Sequence, residues 1–113
     1  MDVYASTHTC LPALRHYDFS GPRIVANNGA AGMPNFSGSN FGILTRIAAT
    51  PSPHRRLYGD TLQGTHIDAL AIHYADAVWR ERFLANWPVG SSAWLSYFDR
   101  IAHGPADRLP WIA

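Results

Sequence analysis

The chain contains no lysine, a single cysteine and few charges of either sign. One cysteine, Cys10, excludes an internal disulfide. A lone free thiol suits a reducing compartment, so a cytoplasmic location is expected. The nine basic residues are all arginine and stand against eight acidic ones, for a net charge of +1. That balance offers no electrostatic reason to expect nucleic acid or an anionic membrane surface as a partner. A GC-rich coding sequence explains the missing lysine without invoking function. Charged residues make up 15% of the chain, against about 25% in an ordinary globular domain. With 47% apolar residues, a charge-solvated disordered chain is excluded. No apolar run approaches the ~20 residues of a membrane-spanning helix. The opening Met-Asp-Val-Tyr-Ala-Ser-Thr-His has neither the basic start nor the apolar stretch of a secretory signal. No internal repeat is visible.

What is present is 113 residues, the size of one domain or of a fragment of a larger one. Residues 1–75 are rich in Gly, Pro, Asn and β-branched residues and read as strands and loops. Short strands are expected at 2–6, 23–26 and 41–48, with a further one around His16. Residues 57–62 and 66–74 should form a hairpin about Gln63-Gly64. On the second arm Ile67, Ala69, Ala71 and His73 share one face, and Asp68, Leu70, Ile72 and Tyr74 the other. Residues 76–103 read as two helices broken by Pro88 and Gly90. Asp76 is the expected N-cap of the first, and Trp79, Phe83 and Trp87 form its apolar stripe. Ser91 or Ser92 caps the second, which carries Trp94, Phe98 and Ile101 on one face and stops at Gly104-Pro105. Residues 104–113 are a tail whose Trp111-Ile112 should lie against the body. The fold class is therefore α/β: a mixed β-sheet followed by two C-terminal helices.

Two segments could carry chemistry. In Ser6-Thr7-His8-Thr9-Cys10-Leu11-Pro12 a strand delivers His8 and Cys10 into a turn. Both are donors for zinc or a similar transition metal, but two ligands do not make a site. The plain alternative is a His that caps the turn and a buried small Cys. The second segment, residues 27–40, is a long loop rich in Gly and Asn. Its backbone N–H groups could cradle an anion, yet it has neither the Lys of a P-loop nor G-x-G-x-x-G. A loop of this length in a small domain is often functional.

Taken together and in this order, the two segments resemble the C-terminal part of the calcineurin-like metallophosphoesterases. In that family a strand ends in G-H-x-H, usually S-G-H-T-H-x-P, and a later strand ends in N-P-G-S-x-G-x-P. His8 matches the first histidine. Thr7 stands where Gly is usual, and Cys10 where the second histidine is usual. Asn27, Gly29, Gly32 and Pro34 match the second segment; Asn28 replaces its Pro and Ala30 its Ser. The match covers residues 1–48. The resemblance implies phosphate-ester hydrolysis by two divalent metal ions (Mn, Zn, Fe or Ni) in a β-sandwich flanked by helices. It makes His8 and Cys10 candidate metal ligands and Asn27, Asn28, Gly29 and Gly32 candidate active-site loop residues. The family's D-x-H, G-D-x-x-D and G-N-H motifs are absent; Gly59-Asp60 is followed by Thr61-Leu62-Gln63. A phosphate ester would be the substrate of a full-length parent, and this chain alone is expected to be inactive. It could complete its site with a missing N-terminal part or associate with a second copy. The competing expectation is a non-catalytic structural or protein-interaction domain.

Overall fold

A computed structural model describes residues 2–9, 11–106 and 111–112. Nine elements follow one another: β1 (Asp2–Ser6), β2 (Ala13–Asp18), β3 (Pro22–Asn27), β4 (Phe41–Ala48), β5 (Tyr58–Leu62), β6 (Thr65–His73), α1 (Asp76–Asn86), α2 (Ser92–His103) and β7 (Trp111–Ile112). The class is α/β, strands first and two helices after, and the strands divide into two sheets. The first is mixed, in the order β1-β3-β2-β7, with β1 parallel and β2 antiparallel to β3. The second, β4-β6-β5, is antiparallel throughout.

Alternation decides how the sheets meet. Leu14, Ile24 and Ala26 point inward from the first sheet, and Ile43, Tyr58, Ile67 and Ala69 from the second; together they form one buried core. Val3, Phe36, Phe41 and Leu62 pack at its margin. At one end His16 of β2 pairs with Asp60 of β5, joining the sheets through side chains that stay partly exposed. On β6 both faces are covered mid-strand. Asp68 is buried, and Arg46 and Arg56 hold its carboxylate at 3.2 and 3.3 Å, as a buried charge requires. The β5–β6 turn puts Gln63 at φ +49° and Gly64 at φ +78°, the paired positive angles that a two-residue hairpin needs.

The helices begin differently from each other. Ser91 caps α2, accepting from the Trp94 N–H. For α1 the expected cap is corrected: the N-cap position falls to Ala75, without a side-chain bond. Asp76 lies inside the first turn, where its carboxylate faces Arg80 at i+4, 2.9 Å away. That contact uses Oδ2, and Oδ1 has no hydrogen-bond partner among the described residues. The helices meet through Phe83, Phe98 and Trp94, whose rings lie 5.8–6.0 Å apart. Of the α1 stripe only Phe83 is buried; Trp79 and Trp87 remain 37% and 50% exposed. Gly104 ends α2 at φ +74°, and a Cβ there would lie 2.3 Å from the Phe36 carbonyl. The radius of gyration is 16.1 Å, where a compact chain of this length would have about 13 Å. The molecule is elongated, 51 × 28 × 20 Å. No helix among the described residues is long and apolar enough to cross a membrane.

Candidate functional site

The site grows out of one pairing. β1 and β3 run parallel with Ser6 opposite Asn27, so both strands end at the same level and the segments leaving them lie side by side. Hydrogen bonds then lace the two together. The Asn28 N–H donates to the Ser6 carbonyl at 3.1 Å. The Thr7 hydroxyl donates to the Gly29 carbonyl at 2.5 Å. The Asn27 amide donates to the Thr9 hydroxyl, and its oxygen accepts from the Gly29 N–H at 2.8 Å. A glycine at this position could not make the Thr7 bond and would leave the two segments less tightly tied.

His8 sits at the tip of this turn. Its φ is +53°, and the Thr9 N–H closes on the Thr7 carbonyl across it, which makes a γ-turn. Left-handed backbone at a residue with a Cβ costs on the order of 1–2 kcal/mol, and such strain collects where a side chain must be aimed. His8 is exposed. Cys10, its expected companion, lies outside the described residues.

The loop is held rigid from below. Asn35 is 0% exposed. Its side-chain oxygen accepts from the Ala30 N–H, and its amide donates to the Ala30 carbonyl, each at 2.7 Å, with a longer bond to the Met33 carbonyl. Gly29 is buried at φ +70°, and a Cβ there would lie 2.2 Å from the Asn35 oxygen; only glycine fits. The loop then runs along the edge of β4. The Asn28 amide donates to the Ile43 carbonyl, and the Ile43 N–H to the Ala30 carbonyl, both at 2.9 Å. From the opposite sheet the Tyr58 hydroxyl donates to the Asn27 carbonyl at 2.6 Å, and burial pushes that phenol up to about 12. The C-terminal end of α2 closes the loop's far side: Gly38 donates to the His103 carbonyl at 2.8 Å, and Arg100 reaches the Pro34 carbonyl.

The structure thus brings His8, Asn27, Asn28 and Gly29 together. It places Gly32 further along, beside a separate slot lined by Ala31, Ile72, Tyr74 and Trp79. The other five histidines lie elsewhere: His16 with Asp60, His66 with Thr61, His73 against Phe41, His103 with Asp99, and His54 exposed between β4 and β5. Among the described residues no three His, Cys, Asp or Glu converge as a metal site. A two-metal centre needs several such ligands, so these residues by themselves do not hold one. Sequence reasoning missed Asn35 and Tyr58. The available signal for Asn35 was its place between Pro34 and Phe36, a short polar residue enclosed by two bulky apolar ones. Neither a family model, nor a curated protein, nor a solved structure matches the chain.

Proposed function

We propose that this chain is the C-terminal portion of a calcineurin-like phosphoesterase whose parent hydrolyses phosphate esters in the cytoplasm with divalent metal ions. The observation that supports this reading is the parallel β1/β3 pairing. It puts the His8 turn and the Asn27, Asn28 and Gly29 segment at the same end of adjacent strands, where a rigid sheet can present loops to a ligand. In this reading His8 offers an imidazole to a metal. The strained turn aims it, and the Thr7, Asn27 and Asn35 bonds hold the loop facing it. The remaining ligands come from an upstream segment of the parent.

Reading the coding sequence upstream of the Met1 codon tests the proposal. An open frame carrying D-x-H and G-D-x-x-D is expected; an in-frame stop with no such motif would overturn it. The 113-residue chain with added manganese, zinc or nickel should hydrolyse no aryl phosphate above the blank. Turnover that vanishes in His8→Ala would refute the assignment of the other ligands to the parent.

One observation favours a second reading, a protein-interaction domain. Trp87, Val89, Leu95 and Tyr97 are all at least half exposed on the helical end, an apolar surface of the kind that marks an interface. An upstream stop combined with self-association in light scattering would select this reading.

A further inference from the structure

We propose that a polar pocket on the outer face of the second sheet binds a phosphate group, free or as the monoester of a small molecule. Ile67 and Ala69 point into the core, so Thr61, His66 and Asp68 alternate to the opposite face. The connection between β4 and β5 lies over that face and closes a pocket of about 360 Å³. Its walls include Ser52, His54 and Arg56 from the connection and Thr61, His66 and Asp68 from the hairpin.

The preference for an anion follows from charge and donors. Asp68 is buried, and both of its oxygens are taken, Oδ2 by Arg46 and Oδ1 by Arg56. One carboxylate between two guanidiniums leaves a positive charge in surplus. Asp60, the other acid that Arg56 acts on, is paired with His16. Arg46 spends its further contacts on the Thr50 carbonyl and hydroxyl. Arg56 donates through Nη1 alone, and its Nε and Nη2 carry no bond among the described residues. The His54 ring has no hydrogen bond there either. His66 meets the Thr61 hydroxyl through Nδ1, and the tautomer that accepts at Nδ1 carries its proton on Nε2. The Ser52 hydroxyl accepts the His54 backbone N–H at 3.1 Å, which leaves its own proton to donate. A guanidinium, two imidazoles and a hydroxyl therefore line one pocket whose only carboxylate is already neutralised. A phosphate group, with three or more acceptor oxygens, matches that set, whereas a two-oxygen carboxylate leaves part of it unused.

The pocket is held in shape without a ligand. Arg46 grips Thr50 at the start of the connection, and the Leu57 N–H donates to the Ala69 carbonyl at 2.8 Å at its end. The Arg56 stem crosses Gly59, where a Cβ would lie 3.1 Å from its Cδ. Asp68 thus fixes the guanidinium from beneath, and less side-chain freedom is lost when an anion binds. The His8 turn belongs to the other sheet, so this pocket does not rest on the phosphoesterase reading.

The test titrates the 113-residue chain with inorganic phosphate at constant ionic strength, followed by two-dimensional NMR. Saturable shifts are expected at the Ser52, His54 and Arg56 amides and at the His54 and His66 rings, with a dissociation constant of about 1–10 mM. Arg56→Gln should weaken binding about tenfold or more, the loss of a charge-assisted bond. His54→Ala should weaken it about threefold with an unchanged melt, because the exposed His54 ring holds nothing else in place. Arg15→Gln removes the same charge from an exposed position on the first sheet and should leave affinity unchanged. Tighter binding of glycerol 3-phosphate than of phosphate supports the site and identifies a monoester as its ligand; equal binding supports it with free phosphate. Shifts linear in phosphate, equal affinity for acetate, an equal loss in Arg15→Gln, unchanged binding by His54→Ala, or saturable shifts confined to residues 27–34 would each overturn it.

Discussion

Replacing Asn35 by alanine should release the loop that carries the candidate site. The side chain is fully buried and makes three hydrogen bonds, two of them at 2.7 Å to the backbone of Ala30. The losses are unequal. The Ala30 carbonyl keeps its bond from the Ile43 N–H. The Ala30 N–H has no such reserve, because Asn35 Oδ1 is the acceptor it uses. Leaving one buried donor unpaired costs about 1–3 kcal/mol. The volume vacated beside Gly29 and Pro12 adds a cavity term, for a total of about 2–4 kcal/mol. In urea, where small proteins show slopes of about 1–3 kcal/mol/M, the midpoint should fall by roughly 1–2 M. Tryptophan fluorescence would follow the unfolding, and hydrogen exchange at the Ala30 amide would report the loop directly. Asn40→Ala, at an exposed position of the same loop, should stay within about 0.5 kcal/mol. An Asn35→Ala loss below about 0.5 kcal/mol, with Ala30 still protected, would refute the reasoning, since an unpaired buried N–H cannot be that cheap.

Tyr58 predicts a pH dependence. Burial raises its phenol to about 12, above the ordinary value near 10, so the folded state holds its proton more tightly than the unfolded chain. Its contribution is complete below pH 10 and is lost as pH rises towards 12, with a slope of at most about 1.4 kcal/mol per pH unit. Tyr58→Phe should flatten that decline in chemical denaturation at pH 9, 10.5 and 11.5; equal slopes in the two proteins would contradict it. Gly42 and Gly32 predict opposite responses to the same methyl group. At Gly42 a Cβ meets the Ala31 carbonyl at 1.7 Å, and Gly42→Ala should cost at least about 2 kcal/mol as strand and loop part. Gly32→Ala meets open space and should melt within a degree or two of the parent chain; indistinguishable melting curves for both variants would disprove the close approach.

Local pattern alone located most elements. The β5–β6 hairpin is legible at Gln63-Gly64 because a two-residue turn demands positive φ at both positions, and the alternation on either side follows from the strand's period of two. The end of α2 is legible at Gly104, and the break between helices at Pro88 and Gly90, because these residues act through their own backbone. The start of α1 is not: the N-cap position falls at Ala75, so Asp76 lies one residue inside the helix, where its carboxylate meets Arg80 and not a backbone N–H. The same limit applied to the site. The residue types at the His8 turn and in the 27–34 loop are visible in order along the chain. Their adjacency depends on β1 pairing in parallel with β3 while β2 takes β3's other side, and no periodicity encodes strand order. Nor does any local signal say that Asp68 would be buried between two arginines, or that Asn35 would hold Ala30. Most strands, turns and helices are set within a few residues by dihedral preference and side-chain alternation; β7, read along the chain as part of a tail, is an exception because it forms by pairing with β2. Contacts between distant segments set the split of the strands into two sheets, the approach of the His8 turn to the Asn27 loop, and the slot beside Gly32. Those outcomes depend on burying apolar surface and pairing polar groups between residues far apart in the chain.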